Sequence, residues 1–286
     1  MRISWLGCLI LLVCACGALS AAQVTVPPSK DNTLYESATG SLSDGAGQYF
    51  FSGRTSQATG SLRRSLMRFD IAAAVPAGAT ISSVTLTLHC SSAAGDVEVH
   101  SLHRLPADWG EGTSDAAGAE GQGTTATTGD ATWLNTFYPS SFWTTAGGDF
   151  AAASSGDANV DLADAFYSWS SAQMAADVQA WLNQPATNFG WLLQGNESLS
   201  GTAKRFDSRE SPTVSFRPAL TITYVLTTGD MNCDGQVDLA DVAPFVSAVL
   251  DPAGFSGCDA TRADCNFDGF IDGRDVMAFV HFALGL

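Results

Sequence analysis

Two twelve-residue segments near the carboxyl end share one grammar. The first is Asp230-Met231-Asn232-Cys233-Asp234-Gly235-Gln236-Val237-Asp238-Leu239-Ala240-Asp241. The second, 34 residues later, is Asp264-Cys265-Asn266-Phe267-Asp268-Gly269-Phe270-Ile271-Asp272-Gly273-Arg274-Asp275. Oxygen-bearing side chains stand at positions 1, 3, 5, 9 and 12, and glycine makes the sharp turn at 6. The spacing predicts calcium ligands Asp230, Asn232, Asp234, Gln236, Asp238 and Asp241 in one loop. In the other they are Asp264, Asn266, Asp268, Phe270, Asp272 and Asp275, with Gln236 and Phe270 acting through backbone carbonyls. Every donor is a hard oxygen, with no histidine or thiolate, which favours calcium over zinc. Two ions are expected.

The hydrophobic residues repeat at the same offset: Val237/Ile271, Val242/Val276, Phe245/Phe279 and Val246/Val280. Each loop should therefore open one helix, over 240–250 and 274–284. Residues 229–286 hold ten aspartates and two arginines, so without a cation the carboxylates repel one another. The whole chain has a formal charge of −16, which excludes a phosphate backbone as a natural partner. With 45% hydrophobic and 15% charged residues it is neither disordered nor collagen-like.

Met1 and Arg2 precede an apolar run from Ile3 to Ala18 that exits through small residues, the pattern of a secretory signal peptide over 1–22. Cys16 in Val13-Cys14-Ala15-Cys16 is an alternative lipidation point. No other stretch reaches the ~20 apolar residues of a membrane span. The expectation is a secreted, extracellular chain, with attachment to a cell surface left open. Export allows disulfides among Cys90, Cys233, Cys258 and Cys265, in a pairing that sequence leaves undetermined.

Residues 23–226 follow a different grammar. Met67, Phe69 and Ile71 alternate with Arg64, Arg68 and Asp70, and Val84, Leu86 and Leu88 alternate with serine and threonine. Val97, Val99 and Leu105 fit a third strand, Trp191-Leu192-Leu193 a fourth, and Leu220, Ile222 and Tyr224 a last one. Many short strands separated by turn residues predict a mainly β fold, a sandwich rather than a parallel sheet. Met174, Val178, Trp181 and Leu182 recur at helical spacing before Pro185, predicting one short helix that plugs the sandwich. Residues 106–159 form a long Gly/Thr/Ala/Ser-rich segment studded with aromatics, and no Lys or Arg lies between Arg104 and Lys204.

Asp31-Asn32-Thr33-Leu34-Tyr35-Glu36, Arg64-Ser65-Leu66-Met67-Arg68-Phe69-Asp70, Ala79-Thr80-Ile81, Ala107-Asp108-Trp109-Gly110-Glu111-Gly112-Thr113 and Asn188-Phe189-Gly190-Trp191 together resemble the DNRLRE domain, also classed as carbohydrate-binding module family 96. The resemblance implies a jelly-roll-like β-sandwich in secreted proteins, some of which bind or act on polysaccharides. The eponymous string here lacks both arginines, so an arginine contact to an acidic glycan does not carry over. The two loop-then-helix repeats over 229–286 resemble a dockerin, a small all-α calcium module. That resemblance implies docking to a cohesin-domain protein.

Two sugar platforms are expected from the residues: aromatic, at Trp109, Trp133, Tyr138 and Trp143, or basic, at Arg64, Arg68, Lys204 and Arg205. No nucleophile–base–orienter set is assembled, and His100 and His103 fall on opposite faces of one strand. The expectation is a noncatalytic polysaccharide-associated protein. A structural matrix protein without a glycan ligand and a polysaccharide-degrading enzyme are the alternatives.

Overall fold

A computed structural model describes residues 21–286; the predicted signal peptide lies outside them except for Ala21 and Ala22. Eleven strands form one antiparallel sheet: β1 (Ala22–Val26), β2 (Pro28–Tyr35), β3 (Tyr49–Arg54), β4 (Leu62–Phe69), β5 (Thr80–Ala93), β6 (Glu98–Arg104), β7 (Gly156–Val160), β8 (Ala165–Trp169), β9 (Trp191–Gln194), β10 (Lys204–Asp207) and β11 (Ala219–Val225). Neighbours run β1-β11-β5-β10-β3-β4-β9-β6-β7, with β8 also on β5 and β2 also on β4.

The sheet curls into two facing layers at β3, whose residues 49–52 pair with β10 and residues 53–54 with β4. Gly53 makes that bend at φ +104°, and a side chain there would meet the Thr202 carbonyl oxygen at 3.0 Å. Between the layers, Val84, Leu86, Leu88, Phe206, Leu220 and Ile222 meet Met67, Phe69, Leu102, Trp191 and Leu193, all fully buried. The alternation read from sequence places these side chains because strand faces repeat every two residues.

The predicted helix, α1 (Ala172–Asn183), opens on Ser171, whose Oγ accepts the Met174 amide at 3.0 Å. It turns Met174, Val178, Trp181 and Leu182 into the core. Its buried Asp177 accepts the Trp191 indole N–H at 2.9 Å and the Ser155 hydroxyl at 2.5 Å, tying helix to sheet.

The third predicted strand forms as β6. Val99 on β6 is half exposed, and Val97 just before it is too, while His100 and Leu102 point inward. Pairing with β9 sets Leu102 against Leu193, and a strand pinned there has no freedom to turn Val99 in.

The long segment after β6 covers the outer side of the β4–β9–β6 layer. There Trp109, Trp133 and Trp143 pack with Leu34, Leu66, Leu105 and Leu192 in a second core. The outer side of the other layer stays open. Register places Gln23, Thr25, Ala219, Thr221, Thr223, Ser83, Thr85, Thr87, Phe166 and Ser168 on it, together with His89, buried beneath Phe216, and with Arg205 and Asp207 of β10.

Candidate calcium site

After β11 the chain enters the first aspartate loop, then α2 (Val242–Leu250), the second loop and α3 (Val276–Leu284). Both helices start two residues later than the sequence predicts. In the first repeat a short 3₁₀ turn, Leu239–Asp241, precedes α2; Asp238 and Asp241 cap it reciprocally. Two of the repeated pairs meet in space: Phe245 and Phe279 stack at 3.9 Å, with Met231, Ala248, Ala263 and Cys265 around them and Val237 and Ile271 packed alongside, while Val242, Val246, Val276 and Val280 stay exposed.

The two loops carry one hydrogen-bond pattern. Asp234 N donates to Asp230 Oδ1 at 3.2 Å and Gly235 N to Asp230 Oδ2 at 3.2 Å. The equivalents, Asp268 N and Gly269 N, donate to Asp264 at 3.1 and 3.0 Å. At position 12, Asp241 accepts Asn232 N and Asp238 N, both at 2.9 Å, and Asp275 accepts Asn266 N at 3.1 Å and Asp272 N at 2.9 Å. Asp241 and Asp275 are wholly buried. Gly235 and Gly269 hold φ +90° and +84° with open space beside them, so backbone conformation, not crowding, selects glycine. Backbone amides thus hold oxygen donors inward in each loop, a donor set that fits a hard cation. Burial pushes the Asp230 carboxyl up, as do Asp241 and Asp234, against the pull of Arg262.

Arg262 breaks the symmetry of the repeats. Its Nη1 donates to Asp230 Oδ2 at 2.8 Å, both side chains fully buried, and its Nη2 donates to the Ala77 carbonyl ahead of β5. Asp264 in the second loop has no such partner among the described residues. Sequence reading passed over Arg262, although it is one of only two cations among ten aspartates. Cys233, at position 4 of the first loop, is bonded to Cys258. Cys90 and Cys265 are free and buried, and burial pushes their thiols up to about 11 and about 12, so neither is an activated nucleophile.

Residues 228–281 match the family described as Dockerin type I domain. They are a type I dockerin domain. Type I dockerins bind calcium, and a dockerin implies a cohesin partner. Dockerin-containing proteins are typically extracellular and associated with the cell surface. No helix among the described residues is long and apolar enough to cross a membrane. No curated protein matches the chain.

Outside the dockerin, the structure rearranges both expected sugar platforms. Trp109, Trp133 and Trp143 are 0%, 8% and 6% exposed, and the indole N–H groups of Trp109 and Trp143 donate to the Phe189 and Thr132 carbonyls. They pin the long segment to the sheet and offer no open ring face; Tyr138 alone of the four is half-buried. The basic strip is also taken up internally. Arg64 forks onto Glu197 at 2.6 and 2.8 Å over the Trp133 ring. Lys204 is wholly buried, its Nζ held by the carbonyls of Ala94, Asp96 and Asp161 at 2.9–3.1 Å. Arg205 stacks on Tyr49, on a strand separated from β4 by β3, and Arg68 is half-buried. The causes differ by layer: the long segment takes in the tryptophans and Arg64 on the covered side, whereas Lys204 alternates inward with Phe206 on β10, between the layers.

Proposed function

We propose that this is a secreted, noncatalytic polysaccharide-associated protein. A sandwich over 23–226 is held, through a calcium-dependent dockerin over 229–286, to a cohesin-bearing protein on a scaffold or cell surface. The observation that carries the reading is the dockerin match joined to two loops of matching donor geometry. Two calcium ions, one per loop, are held by Asp230, Asn232, Asp234, Asp238, Asp241 and the Gln236 carbonyl, and by Asp264, Asn266, Asp268, Asp272, Asp275 and the Phe270 carbonyl. The resemblance of 23–226 to the DNRLRE domain supports the polysaccharide half. The interior placement of the three tryptophans favours a second reading, a structural surface module without a glycan ligand.

Capture of the whole chain on a panel of immobilised type I cohesins, with calcium and with chelator, tests the docking half. Binding that needs calcium and is lost in a double Asp241→Ala, Asp275→Ala variant supports it. Failure to bind any cohesin in calcium overturns it. The glycan half is tested by affinity electrophoresis of the whole chain in neutral and acidic polysaccharide gels: retardation on at least one supports it, and no retardation on any of them overturns it.

A further inference from the structure

The two calcium loops differ in what stands behind their first carboxylate. Asp264 Oδ2 accepts the Gly269 amide at 3.0 Å, and no cation pairs with it among the described residues. Its counterpart Asp230 Oδ2 accepts the Gly235 amide at 3.2 Å and the Arg262 guanidinium at 2.8 Å, while Oδ1 takes the Asp234 amide at 3.2 Å. Arg262 is held in turn by the Ala77 carbonyl, in the turn ahead of β5. Gly78 follows at φ +68°, and a side chain there would meet Asp230 Oδ2 at 2.9 Å, Arg262 Nη1 at 3.1 Å and the Cys233 carbonyl carbon at 3.1 Å. A residue without Cβ lets the sandwich come this close. Beside the contact a cleft of about 550 Å³ opens between the modules, lined by Thr80, Gln179 and Asn183 on one side and Asp234 and Gly235 on the other.

From this contact, and resting on the reading that each loop binds one calcium ion, we infer that the Ala77–Gly78 turn of the sandwich is an outer wall of the first calcium site. Arg262 and Gly78 are its positioning residues, and they set the affinity of the first loop without touching the second. The guanidinium grips the carboxylate oxygen on the sandwich side, so it orients Asp230 rather than taking its place in the loop. Partners of this kind behind a metal ligand are worth about 10–100-fold in affinity. The contact is made with the loop's donors already held inward, so by linkage it favours the conformation that accepts the ion. Its positive charge is matched by Asp230, and Asp234, Asp238 and Asp241 remain as the loop's anions.

Calorimetric titration of the calcium-free full chain with calcium tests this, with Gly78→Ala and Arg262→Lys beside the parent. Gly118→Ala is the control: Gly118 holds φ +74° with open space around it, so the variant carries the same backbone strain in the sandwich without the contact. Asp234→Ala removes an exposed donor of the first loop and marks the binding step that belongs to it. The parent should take up two ions. Gly78→Ala should weaken the first-loop step at least about tenfold and leave the other within about twofold, and Gly118→Ala should change neither. Arg262→Lys keeps the charge but has no fork to span Asp230 and Ala77, so it should weaken the same step and carries the test if Gly78→Ala loses the sandwich transition. A first-loop step unchanged in both variants, or two steps weakened alike, overturns the inference and spares the two-ion reading. The same loss in Gly118→Ala also overturns it, because strain alone would then be the cause. A parent that binds fewer than two ions overturns the two-ion reading and this inference with it.

Discussion

Asp44 is 2% exposed, its Oδ1 accepting the Ala116 amide at 2.7 Å beside Tyr35 and Glu120. Burial pushes this carboxyl to about 8. The folded state therefore keeps a proton that the unfolded chain has released above its ordinary value of 3.8, so stability falls as pH rises toward 8. His100, buried and pushed down to about 4, acts oppositely between there and its ordinary 6.5. Above the range of His100, between pH 6.5 and 8, the sandwich should melt at progressively lower temperature; burial also pushes the Asp31 carboxyl well up, so Asp44→Asn should reduce the slope without abolishing it. A melting temperature that climbs across that window would sink the assignment. Arg262 makes a second residue-scale prediction. Arg262→Ala strands Asp230 as a buried, unpaired charge, and should destabilise the calcium-free dockerin by about 3 kcal/mol. Arg262→Lys keeps the charge but loses the fork across Asp230 and Ala77, so it should recover only part. Chemical denaturation of the three proteins in chelator checks it; equal midpoints would show that the pair contributes nothing.

At the scale of elements, helix pairing in the dockerin depends on the Phe245–Phe279 stack. Phe279→Ala removes a ring that is 3% exposed, at a cost of about 3–5 kcal/mol, enough to unfold so small a core. Loss of the dockerin's circular-dichroism transition, with the sandwich transition retained, is the expected outcome. Elements were the level most legible in sequence. The periodicities of β4, β5, β11 and α1 give their inward residues directly, and equal offsets in the two repeats give the α2–α3 contact. The alternation around Val97 and Val99 marked the strand but not its inward side, because period two identifies two faces without saying which one a neighbouring strand will bury. The role of the tryptophans stayed open in the sequence for a related reason: an aromatic-rich loop reads the same whether it offers its rings to a ligand or folds them onto a sheet.

For the whole molecule, the dockerin's stability should depend on calcium and the sandwich's should not. Calorimetry with and without chelator should move one transition and leave the other; two transitions equally indifferent to the metal would count against the loop assignment. The Arg262 contact to Ala77 ties the first loop to the sandwich. Sequence by itself determined the loops, their donors and turn glycines, the strand and helix periodicities, and hence a mainly β body followed by a duplicated loop–helix module. These follow from local chemistry: ligand spacing, φ preference and side-chain alternation act within a dozen residues. Only the tertiary structure decided which strand face the long segment covers, that Arg64 and Lys204 turn inward, and that Arg262 joins Asp230 to Ala77. Each of those outcomes joins residues dozens to nearly two hundred positions apart, and burial there depends on which surfaces close over one another.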